Sequence, residues 1–366
     1  MFLTKLELKQ FRCFTDKSIS FSSQITLITG DNGSGKTSIV EAINYLCYFK
    51  SFRSHVLTDL MSYESDSFFL KGNFTLHQEP DVSHVIQVGY AHKKRIIKLD
   101  QKNVTSYKDT FPFFKVITLT EDDIDLIKGS PSGRRAFADQ AVLFAKPESM
   151  DIYRNFRNIL ENRNALLSGA YGNSNNLDKI EFEVWTEKLW ASTIMIQGLR
   201  ILELKAIEVE INSLIDRYFD GVYEVEIQYE AKVAKQGESM EMFLQKISQL
   251  KHQEVVLKRS LFGAHLDDLV FQIKGKKAKM FASRGQQKLV SLLCKLALIS
   301  TNSSNGPLPL VLIDDFISDF DKIRLRNLIH FFLSCKNQII ITSPFCDSEL
   351  ESLILKAHPD VISINS

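Results

Sequence analysis

Residues 25–43 read "ITLITGDNGSGKTSIVEAI", and few folds accommodate such a stretch. Gly30, Gly35, Lys36 and Thr37 satisfy G-x-x-x-x-G-K-[ST], in which backbone N–H groups and a helix N-terminus cradle nucleotide phosphates. The context the motif demands is present, with an apolar strand (Ile25–Ile28) before it and a helical pattern (Ile39, Ala42, Ile43, Leu46) after it. Gly30, Gly33 and Gly35 are expected to allow backbone conformations and close approaches that a Cβ would block. Lys36 should reach the β/γ-phosphates and Thr37 should ligate Mg²⁺; Asp31, Asn32, Ser34 and Ser38 complete the expected phosphate-binding set.

The rest of the composition sets bounds. With 366 residues, 44% of them hydrophobic, there is material for two ordinary domains and a substantial core. Formal charge is only +1, so any surface for a polyanion must come from local clustering. Cys13, Cys47, Cys294, Cys335 and Cys346 are scattered without metal-ligand spacing, which predicts a reduced cytoplasmic protein. The N-terminus alternates like a strand and has no long apolar signal core, and Lys295 breaks the apolar run "KLVSLLCKLALIS", so no membrane insertion is expected.

Along the chain, residues 1 to about 120 read as strands, with "SHVIQVGYA" and "KKRIIKLD" as a hairpin. Helical periodicity begins near residue 145. From Leu177 to about Phe219 there is no proline and one glycine, Gly198, which predicts a helix of roughly 40 residues and 60 Å, projecting as an arm. Helices at 150–167 and 238–258 are candidates to pack against it. After residue 260 the α/β pattern returns, with "PLPLVLIDDF" and "NQIIITSPF" as buried strands. The fold class is therefore α/β, a mixed-sheet nucleotide-binding head (1–130 plus 260–366) interrupted by a helical arm domain (131–259).

Two further features complete the candidate site. Asp314 and Asp315 end an apolar strand, the first placed to hold the Mg²⁺ shell and the second to orient a water on the γ-phosphate. Ser283, Gly285 and Gln286 open a strongly apolar helix, offering N–H groups, a hydroxyl and partial positive charge to an anion. Lys36, Asp314 and Asp315 are the catalytic candidates; Thr37 and Asp314 are the metal ligands.

The Ser283–Gln286 stretch resembles the S-x-G-Q signature of ABC-type ATPases, and "SDFD" (Ser318–Asp321) looks like their D-loop. Among those that act on DNA, the arm is far too short for the SMC proteins. "LKQFRCF" (Leu8–Phe14), "KSFRSHVLTDLM" (Lys50–Met61), "LTEDDIDLIKGSPSGRRAFADQ" (Leu119–Gln140) and "GAHLDDL" (Gly263–Leu269) are similar to blocks of the RecF family. Ala264 and Leu266 depart from its usual Pro and Arg, and "ITSP" (Ile341–Pro344) stands where transporter ATPases carry a switch His. The resemblance implies ATP and Mg²⁺ as cofactors, a place for Arg12 and the signature residues Ser283, Gly285 and Gln286 in ATP binding, and a homodimer closed by ATP. It also implies double-stranded and gapped DNA as ligand, with RecO, RecR and RecA as partners. The absence of the His and the short Asp315 carboxylate imply slow, DNA-stimulated hydrolysis. Basic clusters at Lys93–Arg95, Arg134–Arg135 and Lys274–Met280 are candidates for phosphate contact. An SMC-like clamp that loads no recombinase, and a P-loop NTPase unrelated to DNA, remain open as alternatives.

Overall fold

The computed structural model describes residues 1–76, 79–170, 179–219, 224–302, 307–315, 322–343 and 360–364. The chain divides into two compact units, one of residues 1–123, 213–222 and 291–366, the other of residues 124–212 and 223–290. The D-loop segment Ser318–Asp321 and Pro344 lie outside the described residues.

In the first unit, β1 (Phe2–Phe11) and β2 (Phe14–Ser20) form a hairpin, and β3 (Ile25–Gly30) leads through the glycine loop into α1 (Lys36–Tyr48). Then β4 (Ser67–Leu76), β5 (Glu79–Ala91), β6 (Lys94–Leu99) and β7 (Lys102–Asn103) extend an antiparallel sheet of order β2-β1-β4-β5-β6-β7. Strand β8 (Val116–Leu119) leaves it for a second, parallel sheet.

The second unit begins with the short α2 (Asp125–Lys128), followed by α3 (Pro131–Ala145), α4 (Met150–Gly169), the long α5 (Lys179–Tyr218), whose residues from 213 on belong to the first unit, β9 (Val225–Glu230) and α6 (Met240–Leu257). Strands β10 (Asp268–Ile273) and β11 (Lys276–Lys277) make a hairpin, and α7 (Ala278–Phe281) precedes α8 (Arg284–Thr301). The chain then completes the parallel sheet with β12 (Leu310–Asp314), followed by α9 (Lys322–Ser334), β13 (Ile339–Ser343) and β14 (Asp360–Ile364). Its order is β14-β3-β13-β12-β8, all pairs parallel.

Burial explains the layering. Strands β3 and β12 are buried at every position, as a sheet covered on both faces requires. The antiparallel sheet alternates instead: in β4 every second residue from Phe68 to Leu76 is buried and those between are half-exposed. Helix α1 packs against strands of both sheets, and Ile39, Val40, Ala42, Ile43 and Leu46 are fully buried. Each of the larger aliphatic side chains among them contributes about 1.5–3 kcal/mol of burial.

The 40-residue α5 matches the length read from the sequence, because nothing within it breaks a helix. In the second unit, Leu189 and Ile196 of α5 pack with Phe156 and Ile159 of α4 and Phe243 and Ile247 of α6, so the expected three helices do associate. A fully buried ion pair braces them. Arg163 donates from both terminal nitrogens to Glu254 (3.0 and 2.7 Å), from Nε to Thr186 Oγ1 (3.0 Å) and from one terminal nitrogen to Ser260 (2.7 Å). Its guanidinium lies 4.5 Å from the ring centre of Phe182 and 4.7 Å from that of Phe262. Removing one member leaves a buried charge unanswered. Arg163→Met is expected to cost about 3–5 kcal/mol in urea denaturation, and Arg163→Met with Glu254→Leu to recover most of it. A single-variant loss below about 1 kcal/mol would show that the pair does not brace the bundle.

Candidate nucleotide site

The glycine loop has the backbone that its sequence requires. Gly35 caps α1 at φ +101°, and a Cβ there would lie 2.5 Å from Cys13 Sγ and 2.6 Å from the Phe14 ring, so only glycine fits. Gly33 has φ +87° in open space, a conformational demand alone. The loop's positive end is closed on itself: Lys36 Nζ donates to the carbonyls of Gly30 (2.8 Å) and Asp31 (2.9 Å), and the lysine is only 5% exposed. Ser34 Oγ is buried and has no hydrogen-bond partner among the described residues. A buried hydroxyl costs free energy unless something answers it. A phosphate oxygen in the loop is such a partner, and the donor set (Lys36, Ser34, Thr37 and the α1 N-terminus) suits that anion.

The two acids reach this loop through strand order. Strand β13 lies between β3 and β12, and Asp314 of β12 pairs in register with Thr342 of β13. Asp314 Oδ1 accepts from Thr37 Oγ1 (3.1 Å) and from Thr342 Oγ1 (2.8 Å). Thr37 and Asp314, expected from the sequence to hold Mg²⁺, are thus brought side by side. Burial raises the Asp314 pKa, against the lowering effects of the Thr342 and Thr37 hydrogen bonds and of Arg53 and Lys36. Asp315 takes a left-handed backbone, φ +47°, and its N–H donates to Thr342 Oγ1 (3.2 Å). Burial and then the Asp314 charge raise its pKa, helped by Glu121 and opposed by Lys36. Both neighbouring carboxyls are thus pushed upward chiefly by burial.

Thr342 was not singled out from the sequence, although "ITSP" was noted. Its role follows from register, which the sequence does not print. Nothing in the sequence marks Glu41 of α1, whose partners come from separate segments. It is fully buried and accepts from Arg12 Nε (2.8 Å), a second Arg12 nitrogen (2.6 Å), Ser51 Oγ and Arg53 (3.5 Å). "LKQFRCF" and "KSFR" thus converge on one carboxylate, and Arg12, expected among the nucleotide-binding residues, has its guanidinium on Glu41 and on the Asp59 carbonyl. The neighbouring Cys13 and Phe14 form the wall against Gly35. Beside β8, Lys295 pairs with Asp123 (3.0 Å) and Asn44 donates to Thr118 Oγ1 (2.9 Å).

The signature residues open α8. Ser283, Arg284 and Gly285 are exposed there. Ser283 and Gln286 cap each other, Ser283 N–H donating to Gln286 Oε1 (2.8 Å) and Gln286 N–H to Ser283 Oγ (3.3 Å).

The remaining RecF-like blocks hold the second unit together. Arg134 is buried and donates to both oxygens of Asp268 (2.7 and 2.9 Å), which corrects its place among the surface cations. Arg135 donates to the Asp267 carbonyl (2.9 Å), and Asp267 itself accepts from Gln197 and Tyr229 (2.9 and 2.8 Å). Ala264 offers its carbonyl to Arg200 (2.7 Å), a backbone contact that does not depend on which side chain stands there. Leu266 lines a groove of about 710 Å³ with Lys232 and Lys235. Burial, and then Arg135, Arg200 and Arg259, push the His265 pKa down to about 4, so it is neutral near pH 7. In the first unit, Lys93, Lys94 and Arg95 are all exposed, and Arg95 is tied to the Phe49 carbonyl (2.6 Å) and the Tyr45 hydroxyl (3.2 Å).

A head of one antiparallel and one parallel sheet around a P-loop helix, with the acid-ending strand one strand removed from the P-loop strand, is that of an ABC-type ATPase, and the family model described as "RecF/RecN/SMC N terminal domain" matches residues 2–348. A curated relative from Chlorobium phaeobacteroides, "DNA replication and repair protein RecF", is 30% identical over 94% of this chain and 95% of its own length. Another of that name, from Halalkalibacterium halodurans, is 30% identical over 90% of this chain and 89% of its own. The chain belongs to the RecF family. The fold is also that of the recombination mediator protein RecF solved with ATP (TM-score 0.84, 21% identity, 94% of this chain and 92% of that one). An SMC head bound to the C-terminal winged-helix domain of ScpA is more distant (TM-score 0.57, 16% identity, 96% and 92% covered).

The raised Asp314 pKa gives a signed prediction. A carboxyl whose folded pKa exceeds its unfolded value loses stability as pH rises from the unfolded pKa through the folded one. Without nucleotide, Asp314→Asn should be more stable than wild type at pH 7, and the gap should close as pH falls toward about 4. Thermal unfolding across pH measures both; a gap independent of pH would show that Asp314 is not held at such a cost.

Proposed function

We propose that this chain is an ATP-dependent DNA clamp of recombinational repair and replication restart, a homodimer closed head to tail by two ATP molecules. The observation that carries the reading is the meeting of Thr37 and Asp314 at 3.1 Å beside a lysine that occupies the phosphate loop of its own chain. Lys36 would exchange the Gly30 and Asp31 carbonyls for β/γ-phosphate oxygens, and Ser34 would find its partner in the same anion. Thr37 and Asp314 would hold Mg²⁺, which would supply positive charge to offset that of the phosphates. Asp315 would orient the attacking water. Its short carboxylate and the absence of a switch His make hydrolysis slow, suited to timing release rather than driving a motor.

The partner copy supplies Ser283, Gly285 and Gln286. Ser283 and Gly285 are exposed, and Ser283 and Gln286 cap one another, so the γ-phosphate must exchange for bonds the helix start already makes. Loss of the γ-phosphate restores the cap and opens the dimer. In this reading residues 1–130 and 260–366 act as the ATPase head and 131–259 as the arm.

The ligand is double-stranded DNA and its junctions with single strands, held through phosphates by exposed lysines such as Lys93, Lys276 and Lys277, without base reading. Relatives named as DNA replication and repair proteins, and neighbours described as recombination mediators of the RecFOR pathway, support action with RecO and RecR in placing RecA on gaps.

Sedimentation with ATP and Mg²⁺ tests the sandwich. Wild type should dimerise, whereas Ser283→Arg should stay monomeric with its nucleotide affinity unchanged within about two-fold. A wild type that hydrolyses ATP as a monomer would overturn the clamp in favour of a lone P-loop enzyme.

A further inference from the structure

The outward face of the antiparallel sheet carries a feature that the clamp reading does not use. Strand register places Lys9, Phe69, Gly89 and Ile96 side by side across β1, β4, β5 and β6. The next row holds Glu7, Lys71, Gln87 and Lys98. The first row floors an open groove of about 640 Å³ whose rim includes His92 and Lys94. Ile96 is 56% exposed and Phe69 half-exposed, although the alternation of these strands sends Phe68, Leu70 and Val88 into the core. Gly89 leaves the space beside Phe69 open: a Cβ there would come no nearer than 3.9 Å to the ring. Glu7, the acid of the second row, is held down by Lys5 (2.8 Å) and Lys71 (3.4 Å), its pKa lowered by the Lys5 hydrogen bond first. Glu7 is thus answered from within the sheet, Asp16 of β2 stands in register beside Lys9 at the end of the first row, and Lys9 and Lys94 line the apolar floor with Lys98 in the neighbouring row.

An aromatic ring on a sheet, a shallow apolar bed and lysines on its border make up the chemistry of a single-stranded polynucleotide site. The ring and Ile96 offer a flat surface to an unstacked base, and the lysines answer the phosphates on either side. A duplex keeps its base faces stacked and has nothing to place on Phe69. An acidic peptide would use the lysines and leave the ring idle. We propose that this sheet face is a platform for single-stranded DNA, with Phe69 stacking one base and Lys9, Lys94 and Lys98 tracking the backbone. The inference rests on the DNA-clamp reading and adds to it: the clamp holds the duplex, and the platform takes the single-stranded side of a junction.

The test uses the full chain and fluorescence anisotropy on three probes: a thymidine 20-mer, a blunt duplex, and the same duplex with a single-stranded tail. Phe69→Ala and Ile96→Glu should each weaken binding of the 20-mer about ten-fold, in line with the loss of one base stack, and abolish the gain the tail gives over the blunt duplex. Both should leave the blunt duplex unchanged; Ile96→Glu alters an exposed position and guards against a folding artefact in the other. Lys94→Ala with Lys98→Ala should flatten the salt dependence of 20-mer binding. A uridine 20-mer run in parallel assigns the site to RNA, and overturns the DNA assignment, if it binds more tightly. Duplex binding with a 20-mer affinity indifferent to Phe69 and Ile96 would remove the platform and leave the clamp. Wild type that binds none of the three probes would remove both. Variants that alter sedimentation without any nucleic acid would mark the groove as a contact between copies, and the platform would fall.

Discussion

Everything chemical in the first unit depends on one ordering constraint: in the parallel sheet, β13 is inserted between the strand that feeds the glycine loop and the strand that ends in the acids. Residues 37, 314 and 342 are far apart in sequence, and the shared register brings their oxygens within hydrogen-bonding range. Because β3 and β12 are buried on both faces, a slip of one residue would bury the wrong side chains and move Asp314 off the loop. Precision at the site is thus inherited from the core. The core also imposes the cost, since a carboxylate held there is desolvated and ionises reluctantly.

What could be read in the sequence was what is local. The loop, its strand and helix, the acid-ending strand and the 40-residue α5 each announce themselves over a contiguous window, by glycine spacing, by apolar runs or by the lack of breakers. Even the reciprocal cap of Ser283 and Gln286 is a four-residue pattern. Glu41 could not be read in this way. A charged residue in the middle of a helix looks like surface until Arg12, Ser51 and Arg53 are seen to close over it from two separate segments.

Arg134 and Arg135 make the same point from the other direction. As adjacent basic residues they are indistinguishable in the sequence, yet one is buried against Asp268 and the other donates to a backbone carbonyl. The partners come from residues 267 and 268, so the pair serves to fasten α3 to β10. A motif marks where a structure commits its residues without saying to what, and in the second unit the RecF-like blocks go largely to internal hydrogen bonds and the Arg134–Asp268 ion pair.

The left-handed backbone of Asp315 bears on which acid can stand there. Aspartate is among the few residues other than glycine that adopt this conformation readily, because its short side chain can bond locally; a longer acid is penalised. Glutamate is therefore disfavoured at this position by the chain's own torsion. The identity of the acid at this strand end is thus constrained by a backbone angle.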